Sequence, residues 1–270
     1  MKDKRKMIIQ KQYKSIKSLK KILITLIALT LVFACSKKDA VKKTSLFEAE
    51  SVFQQANEKI KEGRYEDARE ILESIITQDT SGKFSPLARI RIGDTYFEDE
   101  QYEEAAAEYR HFLQIHPHHK YSSYTQYQLA MSYFKRIGTV DVSYSFARKA
   151  LDEFEQLLKI HPRNPYLSVV ENRIKACKNI LAEYEFYVGK FYFKKGSYGA
   201  AAGRFSHLIQ NYPDSKKELE SLYYLGLSYN EIGDKDKSLK ALKTLIDKYP
   251  NTSLSREAKE TIASFNEQEK

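Results

Sequence analysis

Four histidines lie close together, at His111, His116, His118 and His119, and they are the side chains most suggestive of chemistry in this chain. Imidazole nitrogens bind Zn²⁺ and other transition metals, so such a cluster could form a metal site. No other set of residues has a catalytic arrangement. The sequence has no glycine-rich phosphate loop, no nucleophile elbow and no metalloprotease His-Glu pair. It therefore predicts that the protein is not an enzyme.

Carboxylates, the other groups that could act as acids or bases, are mixed with lysines. The run from Asp234 to Lys237 reads Asp-Lys-Asp-Lys, for example. Charges of alternating sign along a helix are typical of a solvated face. We interpret these carboxylates as surface groups.

The helices that must position these residues belong to a sequence repeat of about 34 residues. Three copies of this repeat can be aligned at eight positions. In the middle copy they are Gly189, Tyr192, Gly196, Tyr198, Ala201, Phe205, Leu208 and Pro213. The upstream copy has Gly93, Tyr96, Glu100, Tyr102, Ala105, Tyr109, Phe112 and Pro117. The downstream copy has Gly226, Tyr229, Gly233, Lys235, Ser238, Leu242, Leu245 and Pro250. The pattern resembles the tetratricopeptide repeat, a pair of helices joined by a tight turn.

Two further copies are degenerate, at residues 49–80 and 121–162. In the second, Ala130 and Ala150 are 20 residues apart, against 12 for Gly93 and Ala105, so residues are inserted near 136–145. A repeat cannot bury its apolar face alone, and a segment at 255–265 should cover the last copy. We predict an all-α fold, a tetratricopeptide-repeat α-solenoid of about five helical pairs plus a C-terminal capping helix.

Residues 46–164 should contain repeats 1 to 3, and residues 165–270 a long connecting helix, repeats 4 and 5 and the capping helix. The long helix should run over 165–194, roughly 45 Å, with Asn164 placed to cap its start. Its apolar seam steps by four and three residues through Val170, Ile174, Cys177, Leu181, Tyr184, Val188 and Phe191. We interpret Cys177 as a buried core thiol without a disulfide.

The repeat argues against a metal at the histidines. His116 and His161 each precede the closing proline of a repeat, and Tyr212 and Tyr249 occupy that place in the next two copies. A position that accepts either His or Tyr suits a half-buried ring at a helix end. We therefore predict that these histidines bind no metal.

The first 34 residues do not belong to the repeats. A basic segment precedes 22–34, thirteen residues without a charge, which is shorter than the ~20 residues of a membrane span and fits a bacterial export signal. Met7 is an alternative start. The signal ends at Val32-Phe33-Ala34-Cys35, which resembles a lipobox apart from Phe33. We predict a lipoprotein signal peptide at 1–34, a lipid on Cys35 and a flexible tether at 35–45. An ordinary apolar segment with an incidental cysteine is the alternative.

The predicted signal peptide at 1–34 also accounts for the basic charge of the chain. The whole sequence has 45 basic and 36 acidic residues, a net charge of +9. Residues 1–34 contain nine of the basic and one of the acidic residues, so 36 and 35 remain, a net charge of +1. We expect no binding of nucleic acid, which requires a basic excess.

A helical-pair solenoid has a concave face formed by the first helix of each pair. By resemblance to tetratricopeptide proteins, fixed positions of each repeat point into this groove and suit a peptide with an aromatic residue. The predicted groove residues are Phe53, Asn57, Ile90, Asp94, Phe97, Tyr124, Tyr127, Met131, Phe134 and Lys135. The alternative for each is packing against a neighbouring helix.

The lipobox, the five repeats and three short segments together resemble the BamD family, the lipoprotein subunit of the β-barrel assembly machine. The segments are Leu181-Ala182-Glu183-Tyr184-Glu185, Tyr212-Pro213-Asp214-Ser215 and Tyr249-Pro250-Asn251-Thr252. The insertion near 136–145, which looks short, and the additional 255–265 segment depart from the family.

The resemblance implies a non-enzymatic scaffold on the periplasmic face of the outer membrane, with no cofactor other than the lipid on Cys35. Its expected partners are unfolded outer-membrane proteins at the first repeats, the periplasmic domains of the barrel subunit BamA at the last repeats, and other lipoproteins of the complex. Arg204 falls where the family has an arginine near BamA. The alternatives are another envelope repeat lipoprotein, either pilotin-like or an adaptor for a peptidoglycan enzyme, and a periplasmic enzyme or metal protein.

Overall fold

Eleven α-helices and no β-strand form the part of the chain that this computed structural model describes, residues 41–138 and 140–267. Repeat 1 consists of α1 (Val41–Lys61) and α2 (Tyr65–Gln78), repeat 2 of α3 (Ser85–Glu98) and α4 (Tyr102–Ile115), and repeat 3 of α5 (Ser122–Lys135) and α6 (Val140–Ile160). Repeat 4 consists of α7 (Leu167–Lys194) and α8 (Tyr198–Asn211), and repeat 5 of α9 (Glu218–Glu231) and α10 (Lys235–Lys248), followed by α11 (Ser253–Glu267). The prediction of an all-α array of five helical pairs and a final helix is confirmed.

The turn inside most pairs places one residue in the left-handed region of backbone space. Gly63, Gly196 and Gly233 have φ values of 72°, 72° and 80° there, a conformation that glycine adopts without steric cost. Glu100, with φ of 58°, holds the equivalent place in repeat 2, where a side chain costs about 1 kcal/mol. The repeat pattern therefore marks the turns through their backbone geometry.

The two helices of a pair approach closely where the repeat has its small residues. A Cβ atom added to Gly189 in α7 would lie 2.7 Å from Cε1 of Phe205 in α8, well inside van der Waals contact. A Cβ atom on Gly93 would lie 2.7 Å from the Tyr109 ring in repeat 2. Ala201 is fully buried in the same pair as Gly189. The small residues predicted to allow close packing do so.

Helix α7 is shared by two repeats. It has 28 residues, twice the 14 of α8, and therefore spans about 42 Å. In its N-terminal half, Val170, Cys177 and Leu181 join a core cluster that includes Phe154 of α6. Its C-terminal half packs on α8 through Gly189. This one helix thus connects repeats 1 to 3 with repeats 4 and 5.

Cys177 is a buried, free thiol in that cluster, as predicted. Burial raises its pKa to about 12. The neutral thiol behaves as a small apolar side chain, because only the thiolate is a nucleophile or a metal ligand.

Two details of α7 differ from the prediction. Asn164 does not cap the helix: its Oδ1 accepts the Tyr166 N–H at 2.8 Å in the preceding turn, and Tyr166 occupies the cap position without a side-chain bond. The apolar seam also does not continue to its end, since Phe191 is 52% exposed. Glu185 and Gly189 take the buried positions instead.

The start of the array and repeat 3 differ in detail from the prediction, and the final helix covers repeat 5 as predicted. Helix α1 begins at Val41, inside the segment 35–45 that was predicted as a tether. Cys35 and the signal peptide lie outside the described residues. In repeat 3, α6 has 21 residues rather than 14, so the inserted residues lengthen a helix. At the C-terminus, α11 covers repeat 5 through Ala258, which clusters with Leu242 and Leu245.

No helix in the described ranges combines the length and the apolar character that crossing a membrane requires.

Candidate functional site

A cavity of about 420 Å³ opens between the first helices of repeats 1 to 3. Helices α1, α3 and α5 and the segments before α5 and α7 contribute to this N-terminal cavity. It is lined by Phe53, Leu87, Ile90, Arg91, Asp94, Tyr121, Tyr124 and Tyr166. The structure therefore brings together Phe53, Ile90, Asp94 and Tyr124 from the predicted groove residues.

Asp94 is the centre of the hydrogen-bond network in the cavity wall. Its Oδ1 accepts the hydroxyls of Tyr109 at 2.9 Å and Tyr124 at 2.8 Å, and its Oδ2 accepts Nη1 of Arg91 at 3.1 Å. Burial, together with the Asp94 charge, raises the pKa of both tyrosines well above its ordinary value. Both hydroxyls therefore stay protonated and keep donating to Asp94.

Arg91 supplies the positive charge of the cavity. Its Nε and Nη2 donate to Oδ1 of Asn57 at 3.1 and 2.9 Å, so two helices fix the guanidinium. Asn57, a predicted groove residue, does not line the cavity itself, and its contribution is to hold Arg91 in place. The Arg91 side chain remains 34% exposed. A guanidinium has five N–H groups, so donors remain available to an anion in the cavity.

The other predicted groove residues do not line this cavity. Phe97 and Phe134 pack against the core cluster, and the Tyr127 ring stacks on Tyr166 with centroids 4.5 Å apart. Met131 is 8% exposed and belongs to the core cluster. Lys135 is exposed at the end of α5. Packing against neighbouring helices, the alternative for each residue, is observed for Phe97, Tyr127, Met131 and Phe134 and not for Lys135.

Four residues of the cavity were missed by the sequence reasoning. Leu87 lies at a groove position of the repeat and could have been found from the pattern alone. Arg91 lies one helical turn further on α3 and gave no signal, because its role depends on Asn57 and Asp94. Tyr121 and Tyr166 precede their helices, outside the repeat positions.

Two of the clustered histidines, His116 and His119, pack against Phe112. His116 follows the last residue of α4, and its ring lies 5.3 Å from that of Phe112; His119 lies 5.5 Å from the same ring. Burial lowers the pKa of His119, and the neighbouring His116 adds to the effect. Among the described residues, no group of three His, Cys, Asp or Glu side chains is placed to hold a metal ion.

Arg204, the residue predicted to face a partner, lies in α8 with its side chain 43% exposed. Its Nη1 donates to Oε2 of Glu185 at 3.1 Å, and Glu185 is almost fully buried. His207 Nδ1 lies 3.5 Å from the other carboxylate oxygen. The guanidinium therefore has a carboxylate beneath it and free donors above it.

The surface around Arg204 is open. Gly199 and Gly203 lie on exposed positions of α8, and a Cβ atom added to either would meet nothing within 4 Å. We call Gly199, Gly203 and Arg204 the α8 face.

The N-terminal cavity and the α8 face are both parts of one helical-repeat array. The chain is a helical-repeat protein with two candidate binding surfaces. A family model named YfiO and described as "Outer membrane lipoprotein" matches residues 47–241, well over half of the chain. The chain belongs to this family, whose curated relatives are outer membrane protein assembly factors of the BamD type.

Two relatives illustrate the similarity. The outer membrane protein assembly factor BamD of Rickettsia prowazekii (strain Madrid E) is 31% identical over 189 residues, covering 70% of this chain and 75% of the relative. The BamD of Neisseria meningitidis serogroup A is 23% identical over 248 residues, covering 87% and 93%. A solved structure, the TPR2AB-domain:pHSP90-complex of yeast Sti1, is similar over 82% of this chain and 85% of that chain, with 16% identity and a TM-score of 0.45.

Proposed function

We propose that this protein assists the folding and insertion of β-barrel outer-membrane proteins, binding the unfolded client in the N-terminal cavity and the barrel subunit BamA at the α8 face. The observation that carries the client assignment is Arg91, a fixed and partly exposed cation in a cavity with aromatic walls. An unfolded chain that ends in an aromatic residue offers a ring and a terminal carboxylate. The ring suits the walls formed by Phe53, Tyr121 and Tyr124, and the carboxylate suits the guanidinium.

Peptide binding tests the client assignment. A labelled peptide that ends in phenylalanine is titrated with the protein and followed by fluorescence anisotropy, beside the same peptide with an amidated end. We expect amidation and Arg91→Gln each to weaken binding about tenfold, the value of one charge-assisted hydrogen bond. The matched control Arg163→Gln, at an exposed arginine outside the cavity, should bind normally. Equal affinity of the two peptides would contradict a role for the terminal carboxylate.

The proposed docking to BamA rests on the half-exposed Arg204 and on the open space over Gly203. A bulky Gly203→Trp substitution should leave the fold intact, because nothing lies within 4 Å of that position, and should block an approaching partner. We expect Gly203→Trp and Arg204→Glu to weaken binding to the purified periplasmic domains of BamA. Gln114→Trp, on the exposed side of α4, is the control. Unchanged binding by both variants would move the docking surface elsewhere.

The same proposal includes anchoring at the periplasmic face of the outer membrane through a lipid on Cys35, with no other cofactor. Membrane attachment by several acyl chains is stable where a single chain is not. Mass spectrometry of the N-terminal peptide should find an acylated Cys35, and Cys35→Ser should release the protein from the membrane fraction. A pull-down of the anchored protein should then recover BamA and other lipoproteins of the complex. Recovery of a secretin or a peptidoglycan hydrolase in place of BamA would support an adaptor role instead.

A further inference from the structure

Glu185 is a buried carboxylate under the proposed docking surface. It lies in α7, is 2% exposed and belongs to the face that packs on α8. Its ion-pair neighbours are Arg204, 3.1 Å from Oε2, and His207, 3.5 Å from Oε1, and its charge also acts on the Tyr212 hydroxyl. Both ion-pair neighbours are in α8 and are less than half exposed, at 43% and 44%.

Stability alone does not explain a carboxylate at this position. Removing a carboxylate from water is costly, and buried ion pairs are often no more stabilising than apolar residues of similar size. The neighbouring positions on this face of α7, Leu181 and Gly189, are apolar or small. An apolar side chain at 185 would continue the core.

What Glu185 does provide is a fixed orientation for Arg204. A free arginine on a helix surface samples many rotamers, and ordering it on binding costs free energy. The bond from Nη1 to Glu185 fixes one edge of the guanidinium against α7. The other guanidinium donors remain available to a partner, because the side chain is still 43% exposed.

We infer that Glu185 is a positioning residue, which holds Arg204 ready for a carboxylate of the docking partner. This inference rests on the proposed docking through the α8 face. Glu185 does not touch the partner, since it is buried. Its contribution to binding should therefore pass entirely through Arg204.

The variant that tests this is Glu185→Met. Methionine is unbranched, similar in length and apolar, so it should maintain the packing between α7 and α8 while removing the acceptor. Glu185→Gln is a second variant that keeps a neutral acceptor and should have an intermediate effect. Thermal unfolding of each variant reports whether the fold is retained.

A double-mutant cycle separates positioning from a structural role. The wild type, Glu185→Met, Arg204→Ala and the double variant are titrated against the purified periplasmic domains of BamA. We expect each single variant to bind about tenfold more weakly, and the double variant to bind as Arg204→Ala does. A merely structural role would weaken binding in both backgrounds by the same factor.

The side-chain order of Arg204 gives a readout that needs no partner. Nitrogen relaxation of the Arg204 Nε–Hε group should report a higher order parameter in the wild type than in Glu185→Met. Arg163, which is exposed, should show the same order in both proteins. Equal order of Arg204 in both proteins would overturn the inference.

The outcomes distinguish the two proposals. If Arg204→Ala weakens binding and Glu185→Met does not, docking through Arg204 stands and the positioning role is wrong. If the factors by which the two single variants weaken binding multiply in the double variant, Glu185 acts independently of Arg204. The positioning role is again wrong. If Arg204→Ala binds as the wild type does, the docking assignment fails, and the inference that rests on it fails too.

Discussion

The N-terminal cavity and the α8 face each contain an arginine paired with a buried carboxylate, and the two pairs are built differently. Arg91 donates three hydrogen bonds, to Asn57 and Asp94, inside a walled cavity. Arg204 donates one, to Glu185, on an open helix surface. The enclosed pair can recognise a single side chain or chain end, whereas the open pair can face only the surface of a partner. One repeat fold thus contains two differently built candidate binding sites.

The comparison predicts that the enclosed carboxylate matters most for folding. Asp94→Ala removes the acceptor of two tyrosine hydroxyls and of Arg91, and Tyr109 is fully buried. We expect a loss of about 3 kcal/mol in the free energy of unfolding, measured in urea. Asp94→Asn, which keeps one acceptor oxygen, should lose about half as much. If Asp94→Ala lost less free energy of unfolding than Arg204→Ala, the enclosed carboxylate would not matter more for folding than the carboxylate under the α8 face.

Close packing and open surface can be compared within repeat 4 itself. Gly189→Ala places a Cβ atom against the Phe205 ring and should destabilise the protein by about 2 kcal/mol through overpacking. Gly203→Ala, in the open α8 face, should instead stabilise it by up to about 1 kcal/mol, because alanine favours a helix. Thermal unfolding of both variants measures the difference. If Gly203→Ala also lowered the stability, the α8 face would be covered by other parts of the chain.

Removing Arg204 takes away the closer of the two ion-pair neighbours of Glu185 and leaves His207. We expect Arg204→Ala to destabilise the free protein by about 1.5 kcal/mol, the cost of a buried acceptor without its main partner. Adding Glu185→Met to this variant should restore much of the lost stability, since the stranded carboxylate is then gone. Urea unfolding measures the free energy of unfolding of both variants. A double variant less stable than Arg204→Ala would contradict the expected recovery.

The smallest effects should come from two capping aspartates, one in each half. Burial raises the pKa of Asp79, but hydrogen bonds from the Ser81 hydroxyl and from the Phe84 and Ser85 N–H groups outweigh it, so the pKa lies below its usual value. The stability this gives is present above the unfolded-state pKa of about 3.9. It is lost as the pH falls through the lowered folded-state pKa.

Asp79→Asn should therefore be less stable than the wild type at pH 7, by about 1 kcal/mol, and the gap should close as the pH falls through the lowered pKa of Asp79. Hydrogen bonds from the Lys237 side chain and backbone N–H lower the pKa of Asp234 at the start of α10. Its partner Lys237 is 62% exposed, so Asp234→Asn should have a smaller effect that salt reduces. Urea unfolding across pH and salt separates the two, and a larger effect at Asp234 would reverse this order.

The fold was predictable where local sterics decide it. Gly196 and Gly233 mark turns because their conformations exclude most side chains, and Gly189 marks a contact because no Cβ atom fits there. The end of the α7 seam was not predictable from spacing alone. A seam that repeats every 3.5 residues drifts by about 20° per seven residues on a helix of 3.6 residues per turn. After three such intervals, Phe191 has turned away from the core.

The binding surfaces were predictable only in part. Phe53, Ile90 and Tyr124 occupy regular groove positions, so the repeat pattern found them. Arg91 and Glu185 owe their roles to residues 34 and 19 positions away, Asn57 and Arg204. A single sequence gives no measure of which charges meet after folding.

The length of α7 has a consequence for the relation between the two surfaces. Because this helix continues without a break from repeat 3 into repeat 4, one residue inserted at its middle would rotate everything that follows by about 100° and shift it by about 1.5 Å. The α8 face would then point almost at right angles to its present direction relative to the N-terminal cavity. The residue count of α7 thus sets the angle between the N-terminal cavity and the α8 face.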